Sequence, residues 1–177
     1  MKKLLIVVDM QNDFVTGCLG TKEARAIVPN VVDLVKNFDG DVWFTRDTHE
    51  ENYLDTQESK KLPVVHCLKN TEGWEIIPEL SEFVDTVYDK NTFGSIVLAE
   101  DIKAIQRDDI FYPKSVYDEI YLCGVCTGIC VISNAILIKA ATPETPIKIV
   151  ANACACVTPE SHETALNAMR TCQIEVV

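Results

Sequence analysis

A chain of 177 residues with 47% apolar and 24% charged side chains suits one domain that buries roughly 70% of its unfolded surface, so folding needs neither disulfides nor metal. This composition excludes disordered, collagen-like and low-complexity classes, and no apolar run approaches the roughly 20 residues of a membrane-spanning helix. A net charge of −11 opposes nucleic acid and anionic membrane as partners, because both are held mainly through Lys and Arg.

In chain order, residues 4–8 read as a buried strand, a short β-branched and apolar run. Asp9 limits that run to five residues, below the about 7 to 15 of a signal-peptide core, so the expected location is cytoplasmic. Residues 24–38 place Ile27, Val31, Leu34, Val35 and Phe38 at helical spacing, and 41–45 form the second strand. The irregular stretch 47–84 is a candidate active-site loop region, since long ordered loops in compact domains are often functional. Strands follow at 86–88 and 119–124. The helix 129–141 is apolar on nearly every face and is therefore central. After a fifth strand at 147–150, Thr158 before Pro159 marks the N-cap of a helix over 158–170, with Ala165, Leu166 and Met169 as its apolar stripe. Residues 173–177 supply a sixth strand. No repeat or Pro/Gly/Ser linker interrupts this order, so residues 1–177 are read as a single domain. Strands alternating with helices predict a Rossmann-like, three-layer α/β/α fold around a six-stranded, mostly parallel sheet.

In such sheets the sites lie beyond the carboxyl ends of the strands. Asp9 stands there after the first strand, either as a turn cap or as a general base with Gln11 and Asn12 fixing the loop. Asp47 and His49 follow the second. Lys90 follows the third and is either a solvated surface group or a cation that favours a nearby thiolate.

Eight cysteines with no export signal are expected to be thiols, metal ligands or a catalytic thiolate. The spacing of Cys123, Cys126 and Cys130, with Cys154 and Cys156 downstream, admits a structural zinc. Against this, Cys123 sits inside a strand and Cys130 begins a helix, whereas zinc knuckles place paired cysteines on tight turns. Cys67, Cys123 and Cys172 suit a core role. Cys130 differs because a helix N-terminus lowers a thiol pKa and can hold an oxyanion, which makes it the candidate nucleophile.

His49 and His66 fall in the long loop region, where with Asp47 and Glu58 they could hold Zn²⁺, Fe²⁺ or Mn²⁺; the alternative is a pair of surface histidines satisfied by neighbours. His162, on the last helix, reads as structural or exposed.

Five motifs occur in order: Val7-Val8-Asp9-Met10-Gln11-Asn12-Asp13-Phe14, Thr45-Arg46-Asp47-Thr48-His49, Pro63-Val64-Val65-His66-Cys67, Lys90-Asn91-Thr92-Phe93-Gly94-Ser95 and Gly124-Val125-Cys126-Thr127-Gly128-Ile129-Cys130-Val131. With them the chain resembles the isochorismatase-like cysteine hydrolases, most of all the nicotinamidases, over essentially its full length. The resemblance implies a triad of Asp9, Lys90 and Cys130, and an oxyanion site from the backbone N–H groups of Cys126 and Cys130, with a cis peptide at Val125–Cys126. It implies Phe14 against the substrate ring, with Leu19 as an apolar wall. A divalent metal, zinc first with iron or manganese as alternatives, would sit on Asp47, His49 and His66. Many nicotinamidases have a further His between the last two ligands. Here Glu58 is the expected substitute, with Glu50, Glu51 and Asp55 as rivals. Gly128 stands where the family commonly carries Asp, and the segment from His66 to Lys90 is short. The implied substrate is a small amide, nicotinamide, and the implied assembly a homo-oligomer. Another small amide or carbamoyl substrate remains the enzymatic alternative, and a non-catalytic metal or redox protein the alternative from another class.

Overall fold

The computed structural model describes residues 1–106 and 116–177. Six strands form one sheet: β1 (Lys3–Val8), β2 (Asp41–Asp47), β3 (Thr86–Lys90), β4 (Glu119–Val125), β5 (Ile147–Ala155) and β6 (Glu175–Val176). Their order is β3-β2-β1-β4-β5-β6, and every pairing is parallel. β1 lies at the centre, and its Leu4, Leu5, Ile6, Val7 and Val8 are fully buried. That continuous apolar run is what a parallel strand covered on both faces requires.

The longer helices are α1 (Lys22–Asn37), α2 (Ile96–Ile105), α3 (Ile132–Ala141) and α4 (Pro159–Thr171). α1 packs against β4 and β5, while α2, α3 and α4 lie side by side. Local chemistry explains their starts. Thr21 caps α1 by accepting from the Ala24 N–H, Ser95 caps α2 by accepting from the Leu98 N–H, and Thr158 forms a capping box with Ser161 before Pro159. Ala165, Leu166 and Met169 face the core as their spacing predicts.

Three elements depart from the sequence reading. β5 runs to Ala155 rather than Val150, because it carries an irregularity: from Leu122 to Gly124 on β4, its partner advances from Ile149 to Cys154. α2 has no sequence-predicted counterpart. The helix expected from residue 129 starts earlier, with a π-helical turn over Thr127–Val131.

Strand order reverses at β1, whose neighbours β2 and β4 lead to opposite edges. A crevice therefore opens beyond its carboxyl end, where open α/β sheets bind ligands. Gly124 makes that junction possible. Its φ of +112° suits glycine, and a Cβ there would lie 2.1 Å from the Val8 carbonyl oxygen.

Candidate active site

Parallel pairing brings the ends of β1, β2 and β3 to one level, with Val8 opposite Thr45 and Asp47 opposite Lys90. Asp9 follows β1 with φ +49° and is fully buried. Its Oδ1 accepts from the Thr45 hydroxyl at 2.7 Å, and its Oδ2 lies 2.6 Å from Lys90 Nζ. The Cys130 thiol lies near enough to the same carboxylate to feel its charge. Acid, lysine and cysteine thus meet in one buried cluster at the centre of the sheet.

Burial raises the Asp9 carboxyl above its ordinary range, Lys90 pulls it down, and Asp47 adds to the rise. For Lys90, burial works against the charge, but Asp9, Cys130 and Asp47 outweigh it and hold the ammonium. Cys130 is pushed well up by burial first and by Asp9 second, with Lys90 opposing. This corrects the expectation of a thiol lowered by a helix N-terminus, since desolvation in this enclosed position outweighs the helix end and the lysine. Cys130 therefore rests as a thiol beside a carboxylate of raised basicity.

Cys130 belongs to the π-helical turn, where the Val131 N–H bonds the Cys126 carbonyl at 3.1 Å. That bond takes the carbonyl which the Cys130 N–H would use in an α-helical turn. The Val125–Cys126 peptide is cis, as the resemblance implied.

The second cluster comes from β2 and the loop beyond it. Asp47 Oδ2 lies 3.1 Å from His49 Nε2 and 3.4 Å from His66 Nε2. Glu58 Oε1 lies 3.9 Å and 3.8 Å from the same two nitrogens. Burial works against the Asp47 carboxylate, but His49, His66 and Lys90 outweigh it and hold its pKa below the usual carboxylate range. His66 Nδ1 lies 2.8 Å from the Val64 carbonyl; donating there, it leaves Nε2 as a lone-pair donor toward the cluster. His49 Nε2 is buried and makes no hydrogen bond. Two imidazole nitrogens and a carboxylate converging this way fit a divalent cation, and one ligand atom from each of Asp47, His49 and His66 falls within 4.8 Å of the others. Glu58 is half-buried and reaches this cluster, while Glu50, Glu51 and Asp55 are exposed.

Both clusters open on one cavity of about 290 Å³, walled by Phe14, Leu19, Cys126, Cys130, Asp47 and His66 among others. The Phe14 and His66 rings lie 5.6 Å apart. The residues selected for the triad, metal, oxyanion and substrate roles therefore gather around one site. His162 stays outside it, half-buried with Nδ1 2.8 Å from the Thr127 hydroxyl. The cysteines form no structural zinc site: among the described residues, only Asp47, His49 and His66 group as candidate ligands. All eight are free. Cys172, expected in the core, is exposed because it follows the last turn of α4.

Supporting residues come from several elements. The Gln11 side chain donates to the Asp47 carbonyl at 2.8 Å and to the Trp74 carbonyl at 2.9 Å, and accepts from the Asp47 N–H at 2.7 Å. Asn134 donates to the Cys130 carbonyl at 2.8 Å and accepts from the Ser95 N–H at 2.9 Å, tying the nucleophile turn to the loop after Lys90. Sequence reasoning missed Asn134 and Thr45. Asn134 did leave a signal, as a lone amide within the apolar helix; Thr45 becomes visible only once β1 and β2 are in register.

The Isochorismatase domain family matches residues 3–177. Nicotinamidase from Saccharomyces cerevisiae is 27% identical over 76% of this chain and 80% of its own length. Among solved structures, the nicotinamidase/pyrazinamidase PncA from Bacillus subtilis is similar with a TM-score of 0.81 and 29% identity over the whole of both chains. Pyrazinamidase of Pyrococcus horikoshii, solved in complex with zinc, has a TM-score of 0.79 and 27% identity over 100% of this chain and 99% of its own. A parallel sheet with acid, lysine and cysteine gathered at its switch point, matched along nearly all of its length, places this chain in the Isochorismatase domain family of hydrolases.

Proposed function

We propose that this chain is a cysteine-dependent amidohydrolase that converts nicotinamide to nicotinate and ammonia, with residues 1–177 acting as one domain in the cytoplasm. One observation carries the reading: the Asp9–Lys90–Cys130 cluster and the Asp47–His49–His66 cluster open on the same cavity of about 290 Å³, a size that suits a small aromatic amide.

Asp9 takes the Cys130 thiol proton as sulfur attacks the amide carbonyl, which suits a carboxylate of raised basicity beside an un-ionised thiol. The oxygen that becomes negative is met by the N–H groups of Cys126 and Cys130. Asp9 then passes its proton to the departing ammonia, and water, with Asp9 as base, cleaves the thioester. Lys90 holds the carboxylate in place and balances the charge buried with it. Phe14 and Leu19 cover the ring with apolar surface. Asp47, His49, His66 and Glu58 would hold a divalent metal, zinc first with iron or manganese as alternatives, which when bound supplies a Lewis-acid position for a ring nitrogen. The net charge of −11 opposes nucleic acid and anionic membrane as partners, and the expected assembly is a homo-oligomer.

The test is ammonia release from nicotinamide by metal-loaded protein. Turnover that is abolished by chelation and by Cys130→Ala, with metal retained in the variant, supports the reading. Background turnover with Cys130 reduced overturns it. Metal-independent turnover of a non-aromatic amide or carbamoyl compound would select the related cysteine hydrolase reading instead.

A further inference from the structure

Cys126 and Cys156 take no covalent part in the reaction proposed above, yet both stand in the wall of the same cavity and influence each other's ionisation. β4 and β5 pair Gly124 with Cys154 and Val125 with Ala155, and Cys126 and Cys156 are the residues that follow the last paired position on each chain. Cys126 keeps an extended backbone, with φ −89° and ψ 144°. Neighbouring strands lie about 4.8 Å apart, within the roughly 4.4 to 6.8 Å between Cα atoms that a disulfide spans. Both side chains line the cavity, beside exposed Val157.

The surroundings of the two sulfurs differ. The Cys126 thiol, the Ser161 hydroxyl and the backbone N–H groups of Gly128 and Val157 surround Cys156 and act on its sulfur. Those donors stabilise an anionic sulfur, as a nest of N–H groups does for any anion. Gly128 leaves room for it: a Cβ there would lie 3.4 Å from Cys156 Sγ. The thiol of Cys156 is drawn down to about 5, by the Cys126 thiol first and against the opposing effect of burial. Cys126 is pushed up, by Cys156 first and then by burial. One sulfur is thus set up to attack and its neighbour to resolve.

We propose that Cys126 and Cys156 form a redox-active dithiol in the cavity wall, a modification site distinct from Cys130 that hydrogen peroxide oxidises to a disulfide. The Cys156 thiolate attacks one peroxide oxygen; the O–O bond breaks, Cys156 becomes a sulfenic acid, and the released hydroxide takes a proton to become water. The Cys126 sulfur then attacks the Cys156 sulfur; the S–O bond breaks, the S–S bond forms, and the hydroxyl leaves with the Cys126 proton as a second water. Two thiols are oxidised and one peroxide is reduced to two waters. Cys130, buried and held as a thiol, is the slower reactant.

The test uses wild-type, metal-loaded protein treated with equimolar hydrogen peroxide, alkylated, digested without reduction and sequenced by fragmentation mass spectrometry. The expected product links Cys126 to Cys156, forms before exposed Cys18 and Cys172 are oxidised, and disappears with dithiothreitol. A link through Cys123, Cys130 or Cys154, a sulfinic acid at Cys156 without a link, or earlier oxidation of Cys18 and Cys172 would overturn the proposal. In Cys156→Ser, oxidation of Cys126 is expected to slow at least about tenfold; an unchanged rate counts against the assignment. Cys126→Ser should stop at a Cys156 sulfenic acid that dimedone traps. None of these readouts needs turnover, so they stand apart from the amidohydrolase reading.

Discussion

The two ends of the sheet carry the same kinds of charged side chain under opposite conditions. At the amino end, Lys2 pairs with Asp41, and Lys148 with Glu119 and Glu175; the Lys2 and Asp41 side chains are 52% and 43% exposed. At the carboxyl end, Lys90 and Asp9 are 2% and 0% exposed. An exposed pair gains about 0 to 1 kcal/mol because water screens it, whereas a buried pair carries a desolvation cost that attraction only partly repays. Stability alone therefore explains the amino end and not the carboxyl end. The buried charges are retained where β1, β2 and β3 deliver them to a reacting centre, and their neighbours Thr45, Asp47 and Cys130 are the groups that make chemistry of them.

Lys90→Met should separate the two ends most sharply. The substitution leaves the Asp9 carboxylate buried without its cation, at a cost of about 3 to 5 kcal/mol at neutral pH. Urea unfolding should show that loss and also its partial recovery as pH falls. The sign follows from the raised folded pKa of Asp9: protonation removes the uncompensated charge, so the folded state binds protons more readily than the unfolded one and gains stability on acidification. Amide turnover should fall on the order of 10³-fold or more. Lys2→Met, at the other end, should change stability by about 1 kcal/mol or less and leave turnover intact. Equal effects at both ends would remove the contrast.

Gln11→Leu tests whether the carboxyl end depends on neutral supports as well as on charge. It removes the amide that satisfies the Asp47 N–H, the Asp47 carbonyl and the Trp74 carbonyl. Orphaned buried groups cost about 1 to 3 kcal/mol each, and loss of a group that orients a ligand weakens metal binding by about 10- to 100-fold. Metal titration against Gln11→Glu, which keeps the acceptor, would show whether the clamp or its volume matters. Gly73→Ala acts at longer range. Its Cβ would lie 2.2 Å from an oxygen of Asp13, the carboxylate that receives the Cys67 N–H just after His66. A melting temperature lowered by the equivalent of about 1 to 3 kcal/mol, with a smaller loss of metal affinity, is expected.

The sequence made legible what rests on strand periodicity and strand ends. Runs such as Leu4 to Val8 state their own burial, and the rule that sites gather beyond carboxyl ends singled out Asp9, Asp47, His49, Lys90 and Cys130 before any coordinates. What it hid depends on register and on competition between effects. Ile96-Val97-Leu98-Ala99 opens α2 with an unbroken apolar run whose first two residues are exposed, so neither a helical nor a strand period emerges. The irregularity that lengthens β5 is nearly silent, because in Ala151 to Cys156 only Asn152 favours a turn, and one such residue does not show that the strand resumes after it. The state of the Cys130 thiol could not be read from its place at a helix start, since burial and Asp9 outweigh the helix end.

The smallest expected effect sharpens the amino end. Asp41 is held below its ordinary value, by the Tyr117 hydroxyl first and by Lys2 second, with the Tyr117 hydrogen bond at 2.6 Å. A carboxylate whose folded pKa is depressed adds stability that is fully present above the unfolded value, 3.8, and is lost as pH falls through the lower folded value. Because Asp41 is largely solvated, the gain is a fraction of what a buried pair would show. Melting curves of wild type and Asp41→Asn should therefore differ slightly near pH 6 and converge as the pH drops below the lowered folded value. If the gap widened on acidification, Asp41 would be enclosed more like Asp9, and the two ends of the sheet would differ in position rather than in solvation.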